Sequence, residues 1–219
     1  MGSEMCIRDS LLPIQGQLSS MTIFNNFKLI PTVTVQSQDE AEVLAKILLK
    51  ASLPIVELTL REGFSIDGMN TILNNESIFA GIGTITNVND LENINCSKAK
   101  FLVSPGSNQK MIEQLHNENV FIPGIETASE ILVNKSLGVG VMKFFPAELL
   151  GGVKKLKAYL DVFPEIKFLC TGGVNDSNYK DYLACNNVLA VGGSFVLPQK
   201  FISEHDIDGG AQHLLKLKS

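Results

Sequence analysis

A single lysine, Lys143, stands in an apolar run with the composition of a buried strand, Val141-Met-Lys-Phe-Phe-Pro146. Apolar surroundings disfavour the charged form of an amine. An uncharged amine can attack a carbonyl carbon and form a Schiff base. Lys143 is therefore a candidate nucleophile for carbonyl chemistry. The alternative is a lysine that is paired with a buried carboxylate and only shapes the core.

A second polar group occurs in Glu57-Leu-Thr-Leu-Arg61. Glu57, Thr59 and Arg61 alternate with leucines, so in a strand their side chains share one face. If the strand belongs to a barrel, that face points into the lumen. The alternative is a buried ion pair between Glu57 and Arg61 without any role in chemistry.

Glycine-containing turns follow several strand-like runs. Taken singly, Gly81-Ile-Gly-Thr84, Ser104-Pro-Gly106 and Pro123-Gly-Ile125 are typical of ordinary turns. Two later segments have paired glycines, Thr171-Gly-Gly-Val-Asn175 and Gly192-Gly-Ser194. Paired glycines let backbone N–H groups approach an anion closely, so these two turns are candidates for a phosphate site.

The elements that must position these residues alternate regularly along the chain. From Leu29 onward, eight short strand-like runs are each followed by a helical pattern. Such alternation predicts parallel strands with right-handed crossovers. We therefore predict an α/β fold of the (β/α)8 TIM barrel type, with a doubly wound open sheet as the alternative. In a TIM barrel the site lies at the C-terminal ends of the strands, and phosphate often binds after strands seven and eight.

Helix starts are predicted from two capping boxes, Ser37-Gln-Asp-Glu40 and Thr127-Ala-Ser-Glu130. A further helix is predicted over residues 87–94, after the third strand. Residues 1–20 lack periodicity, and Met21 is a plausible start. We expect residues 1–20 to be a non-native or disordered leader and residues 21–219 to form one domain.

Composition excludes several classes of function. The net charge of −5 gives no basic surface for nucleic acid, and no apolar run is long enough for a membrane span. Three histidines show no metal-ligand spacing, so no metal is expected. The four cysteines form no C-x-x-C pair and are typical of reduced thiols in a cytoplasmic protein. They are Cys6, Cys96, Cys170 and Cys185.

Together these segments resemble the class I 2-keto-3-deoxy-6-phosphogluconate (KDPG) aldolases, including forms that also cleave 4-hydroxy-2-oxoglutarate (KHG). The resemblance runs from about Met21 to the C-terminus and includes Lys143-Phe-Phe-Pro-Ala-Glu148 and Gly151-Gly152. The other matching segments are 57–61, 81–84, 104–106, 123–127, 171–173 and 192–194.

The resemblance implies a role for each site residue. Lys143 would form the Schiff base, and Glu57 would be the general acid and base. Arg61 and Thr84 would hold the substrate carboxylate near Pro105, with Phe145 packed beside the imine. The remaining residues, Thr171, Gly172, Gly173, Gly193 and Ser194, would hold the 6-phosphate.

The implied reaction cleaves KDPG to pyruvate and glyceraldehyde 3-phosphate, and KHG to pyruvate and glyoxylate. The resemblance also implies a homotrimer without a cofactor. The 6-phosphogalactonate analogue remains an alternative substrate. Two further alternatives are a sugar-phosphate isomerase or epimerase and a non-catalytic sugar-phosphate-binding barrel.

This chain departs from the family pattern at three places. Glu126 replaces a small polar residue, Asn175 stands where serine or threonine is common, and Leu149-Leu150 replaces a polar pair. We expect Glu126 to lie near the mouth of the barrel, where it could alter substrate preference.

Overall fold

Nine parallel strands form the sheet in the computed structural model, which describes residues 24–116 and 120–218. The predicted leader, residues 1–20, lies outside the described residues. Branched and aromatic residues dominate the strands, as expected for a parallel sheet that is covered on both faces. The strands are β1 (Leu29–Val33), β2 (Ile55–Thr59), β3 (Phe79–Gly83), β4 (Phe101–Val103), β5 (Phe121–Ile122), β6 (Gly124–Ile125), β7 (Val141–Phe144), β8 (Lys167–Thr171) and β9 (Val188–Gly193).

The sheet closes on itself through an interrupted strand. Its order is β5-β4-β3-β2-β1-β9-β8-β7-β6, and the two end strands are separated only by Pro123. Proline has no N–H group and therefore interrupts a ladder. The carbonyl oxygen of Pro123 still accepts a hydrogen bond of 2.8 Å from the Lys143 N–H group. β5 and β6 together thus provide the fifth of eight barrel positions, which confirms the predicted TIM barrel and excludes the open sheet.

Helices cover the barrel, and four of them begin after a capping side chain, that of Ser37, Ser65, Asn108 or Thr127. The Thr127 side chain accepts from the Glu130 N–H group, and Glu130 reaches back to Thr127, so the predicted capping box is confirmed. At Ser37 only half of the predicted box forms, because Glu40 bonds to the Gln36 N–H group instead. The helices are α1 (Gln38–Lys50), α2 (Ile66–Leu73), α3 (Gln109–Leu115), α4 (Ala128–Ser136), α5 (Gly152–Val162), α6 (Tyr179–Leu183), α7 (Lys200–Ser203) and α8 (Ile207–Lys218).

The prediction of an α-helix over residues 87–94 is wrong. This segment contains a short 3-10 turn, Val88–Leu91, and a second one follows at Cys96–Lys98. Asparagine and aspartate side chains here bind the backbone locally and compete with helical hydrogen bonds. Asp90 Oδ2, for example, accepts from the N–H groups of Thr86 and Asn87 at 2.8 Å each.

Large apolar side chains fill the core, including Phe101, Phe121, Phe144 and Phe168, which are at most 2% exposed. The barrel has room for the Phe101 ring because Gly81 on the neighbouring strand has no side chain. Across residues 24–116 and 120–218, none of the helices combines the length and the apolar character that crossing a membrane requires.

Candidate active site

Lys143 and Glu57 meet inside the barrel. Lys143 lies on β7 and Glu57 on β2, and the Lys143 Nζ atom is 3.2 Å from Glu57 Oε1. The two side chains are only 7% and 1% exposed. The Lys143 Nζ atom also lies 5.2 Å from the centre of the Phe145 ring. The amine and the carboxylate are therefore close enough to exchange a proton, in an environment largely shielded from water.

One oxygen of Glu57 has no partner in the described part of the chain. Glu57 Oε2 is buried and has no hydrogen bond among the described residues, and the same holds for Thr171 Oγ1. Buried polar atoms without a partner are uncommon in proteins and indicate a ligand or an ordered water. Both residues line the same cavity as Lys143. The site therefore presents unsatisfied polar atoms to whatever enters it.

The position of Glu57 depends on Gly83. A Cβ atom added to Gly83 would overlap the carboxylate of Glu57, first at Oε1. Thr59, two residues beyond Glu57, donates to the Val33 carbonyl at 3.2 Å and shares a hydrogen bond of 2.6 Å with Thr34. These bonds hold β2 against β1, so Thr59 acts as a structural residue and does not line the cavity.

The cavity that contains Lys143 has a volume of about 120 Å³ and lies at the C-terminal ends of the strands. Most of the predicted site residues surround it. The residues that line it are Thr32, Glu57, Arg61, Lys143, Phe145, Thr171, Gly172, Gly173, Val174, Gly193 and Ser194.

The turn after β8 has the backbone geometry of an anion site. Gly172 and Gly173 have φ angles of +89° and +80°, which side chains strongly disfavour. The N–H groups of Gly173 and Val174 donate no hydrogen bond within the described part of the chain. Gly193 and Ser194, at the end of β9, face the same cavity. The two paired-glycine turns predicted to bind phosphate are thus brought together.

Arg61 lies at the rim of the cavity, where its residue is exposed. Among the described residues it forms no ion pair, whereas Glu57 pairs with Lys143. The alternative of a buried Glu57–Arg61 ion pair is therefore wrong. Arg61 keeps its guanidinium group available for a carboxylate or a phosphate.

Thr84 and Pro105 do not line the cavity that contains Lys143. Thr84 borders another cavity of about 190 Å³, together with Leu60, Phe64, Thr86 and Asp90. It has a φ of +64°, a strained conformation for a β-branched residue. Strain of this kind is concentrated at functional sites. Pro105 packs its backbone against Gly124. Their predicted contacts with a substrate carboxylate remain predictions.

Sequence reasoning missed two residues that line the cavity, Thr32 and Val174. Thr32 is the register partner of Glu57 in the β1–β2 ladder. The alternation of Thr32 and Thr34 with Val33 and Val35, at the end of β1, is the signal that could have revealed it. Glu126, in contrast, is exposed and does not line the cavity; its N–H group donates to Glu130 Oε2 at 2.8 Å.

Comparison with known proteins identifies a family for almost the whole chain. A family model described as "KDPG and KHG aldolase" matches residues 21–212. The KHG/KDPG aldolase of Escherichia coli is 33% identical over 192 residues, which covers 87% of this chain and 90% of that protein. A 2-dehydro-3-deoxy-phosphogluconate aldolase of Dickeya dadantii is 35% identical over 181 residues, covering 82% and 85%.

Solved structures support the same relationship. A KDPG aldolase from Legionella pneumophila, with pyruvate captured as a covalent carbinolamine, superposes with a TM-score of 0.85. It is 30% identical, and the match covers 91% of this chain and 98% of that one. The predicted assignment to the aldolase class of carbon–carbon lyases is confirmed at the level of the family. In sequence and in fold, the chain belongs to the KDPG and KHG aldolase family.

Proposed function

We propose that the chain is a Schiff-base aldolase that cleaves KDPG to pyruvate and glyceraldehyde 3-phosphate. The buried contact of 3.2 Å between Lys143 Nζ and Glu57 Oε1 is the observation that carries this proposal. A protein that only binds sugar phosphates needs the glycine turns, but it does not need an amine and a proton carrier side by side. The Legionella relative, which captures pyruvate covalently, supports the same chemistry.

In the first half of the reaction, Lys143 condenses with the ketone carbon, C2, of the substrate. Glu57 Oε1 lies within reach to take a proton from the ammonium group, which frees the lone pair for attack. Loss of water from the carbinolamine gives a protonated imine, which draws electrons toward C2. The apolar Phe145 ring shields this imine from bulk water.

In the second half, a base removes the proton of the C4 hydroxyl, and the C3–C4 bond breaks. Its electrons move into the imine to form an enamine, and the aldehyde leaves. Protonation at C3 and hydrolysis then release pyruvate and restore Lys143. Glu57 is the proposed proton carrier, directly or through water, a role typically worth ~10²–10⁴ in rate.

The two ends of the substrate carry negative charge, and the site offers a partner for each. Arg61 and Thr84 are the proposed partners of the carboxylate. The Gly172-Gly173 turn, Gly193 and Ser194 are the proposed partners of the phosphate. The N–H groups of Gly173 and Val174, which donate no hydrogen bond among the described residues, and the hydroxyl of Ser194 would favour an anion there.

The smaller substrate KHG is a second proposed activity. It is supported by the E. coli relative, which is named for both substrates. KHG carries the same keto acid end as KDPG but no phosphate, so it depends on Lys143 without using the glycine turns.

The proposal is tested by trapping the imine. We expect pyruvate and borohydride together to label the protein on the peptide that contains Lys143, and K143A to abolish labelling. K155A, which removes a lysine from α5, is the matched control and should label normally. Labelling of K143A at the wild-type level would show that another amine is the nucleophile. Absence of labelling in the wild type would favour an isomerase, an epimerase or a binding protein.

The homotrimer, the cytoplasmic location and the absence of a cofactor are also part of the proposal. Apolar side chains that are exposed on α4 and α5 support an oligomer, in which neighbouring subunits would remove them from water. Leu132, Val133 and Val162 are 56%, 52% and 67% exposed in the single chain. Free Cys96, Cys170 and Cys185 agree with a reducing compartment.

A further inference from the structure

A hydrogen-bonded cluster of Glu148, Asn178 and Tyr182 lies behind the Gly172-Gly173 turn; we call it the Glu148 latch. Glu148 Oε2 accepts from the Tyr182 hydroxyl at 2.6 Å and from Asn178 Nδ2 at 3.3 Å. Glu148 follows β7, whereas Asn178 and Tyr182 belong to the segment that follows β8. None of the three lines the cavity that contains Lys143. The latch therefore joins two strand ends without facing the substrate.

Hydrogen bonds to the carbonyl oxygens of Gly172 and Gly173 connect the latch to the turn. The N–H group of Glu148 donates to the Gly172 oxygen at 3.0 Å. Asn178 Nδ2 and Asn175 Nδ2 donate to the Gly173 oxygen at 3.2 and 3.0 Å. Both carbonyl groups of the turn are thus occupied by protein donors, while the N–H groups of Gly173 and Val174 stay available to an anion.

Packing also connects the latch to the turn. A Cβ atom added to Gly173 would lie 2.5 Å from Glu148 Cβ, so the two backbones are in close contact. Glycine populates positive and negative φ about equally, and it does not select the left-handed region by itself. Contacts with neighbouring residues must therefore hold Gly172 and Gly173 in the left-handed region.

Within the latch, Tyr182 is well suited to hold the Glu148 carboxylate in place. It is only 1% exposed, and its hydroxyl donates to a carboxylate, a type of hydrogen bond that is stronger than a neutral one. Burial, together with the bond to Glu148, raises the pKa of Tyr182 above its usual value. The hydroxyl therefore remains a proton donor throughout the neutral range.

We propose that the Glu148 latch is a positioning device that holds the Gly172-Gly173 turn in the conformation in which its N–H groups bind a phosphate. The physiological ligand follows from the proposed function, on which this inference rests. Inorganic phosphate is the simplest probe of the same chemical class. The latch should set affinity for the phosphorylated end of a substrate and leave the pyruvate end unaffected.

The test compares two tyrosines of the same helix. Y182F removes the hydroxyl that holds Glu148, whereas Y179F removes a hydroxyl that donates to the Leu217 carbonyl at 3.1 Å. Phosphate affinity is measured by calorimetry on the purified protein. We expect Y182F to weaken phosphate binding by roughly threefold to tenfold, as for loss of one hydrogen bond, and Y179F to bind as the wild type does.

A second readout separates positioning from general damage to the fold. The rate of pyruvate-dependent borohydride labelling should be equal in Y182F and the wild type. Between the two substitutions of Glu148, E148Q should retain more phosphate affinity than E148A, because the amide oxygen can still accept from Tyr182. If Y182F does not fold, the phosphate affinities of E148Q and E148A test the proposal instead.

Unchanged phosphate affinity in Y182F, or in both variants of Glu148, would overturn the proposal. An equal loss of phosphate binding and pyruvate labelling would also overturn it, because it would show that the cluster only stabilises the barrel. Failure of the proposed function is distinguishable, since wild-type protein would then bind phosphate without being labelled by pyruvate.

Discussion

At the scale of single residues, the arrangement at Lys143 depends on a glycine, which has no side chain, as much as on the side chains that are present. Glu57 can approach Lys143 because Gly83 leaves space beside its carboxylate. The glycine needs no unusual backbone angle at this position; it is required for space alone. A side chain as small as a methyl group would move the proposed proton carrier.

G83A tests this dependence. We expect its kcat/KM to fall by at least about tenfold, since small displacements of catalytic groups are costly, and its stability to fall by about 1–3 kcal/mol. G106A is the matched control, because a Cβ atom there meets nothing within 4 Å. Steady-state kinetics and thermal unfolding check both variants. Wild-type activity in G83A would show that the position of Glu57 is not critical.

Ser194 gives a second prediction at this scale. Ser194 lines the cavity at the end that is proposed to bind phosphate. S194A should raise the KM for KDPG by about tenfold or more, as for a lost hydrogen bond to a charged group, and change the KM for KHG little. S203A, on α7, serves as the control. Equal changes for the two substrates would argue against a phosphate role.

At the scale of elements, the start of α4 shows how a helix cap holds a loop at the mouth of the barrel. Glu130 Oε2 accepts from the N–H groups of Glu126 and Thr127 and from the Thr127 hydroxyl. Partial burial by itself raises the pKa of Glu130, but these hydrogen bonds outweigh it and lower that pKa below its usual value of 4.5. The cap therefore favours the ionised form.

A depressed pKa in the folded state predicts stability that is present above pH 4.5 and is lost as the pH falls through the lower, folded value. E130A should reduce the free energy of unfolding at pH 7 by about 1 kcal/mol, the usual size of a capping effect. Its difference from the wild type should shrink as the medium is acidified. Urea unfolding at several pH values measures this. E42A, in the exposed face of α1, should show no such convergence.

At the scale of the whole molecule, the proposed homotrimer makes a prediction about mass. Sedimentation equilibrium should give a mass three times that of the 23.8 kDa chain. The exposed apolar residues of α4 and α5 would then be covered by neighbouring subunits. A monomer mass at micromolar concentration would contradict the trimer and leave these side chains exposed to water.

Sequence patterns anticipated the barrel and most of its site for a clear physical reason. The alternation around Glu57 and the apolar setting of Lys143 can both be read from neighbouring residues in the sequence. In a TIM barrel, the C-terminal ends of the strands then lie together. Thr32 was missed because its place beside Glu57 depends on the register between two strands. The break at Pro123 was missed because it results from the N–H group that proline lacks. The 3-10 turn at Val88–Leu91 was missed because local side-chain hydrogen bonds overrode the periodic pattern.

The distance along the chain between the reacting groups has a consequence for how activity arises during folding. Glu57 and Lys143 are 86 residues apart, and β1 pairs with β9, so that Leu29 lies beside Val191. Contacts of such long range form late, because the chain must close large loops before they contribute. Neither half of the barrel therefore contains a complete site. In a growing polypeptide, Lys143 lacks its catalytic surroundings until the last strand is in place. The appearance of aldolase activity would then report completion of the barrel.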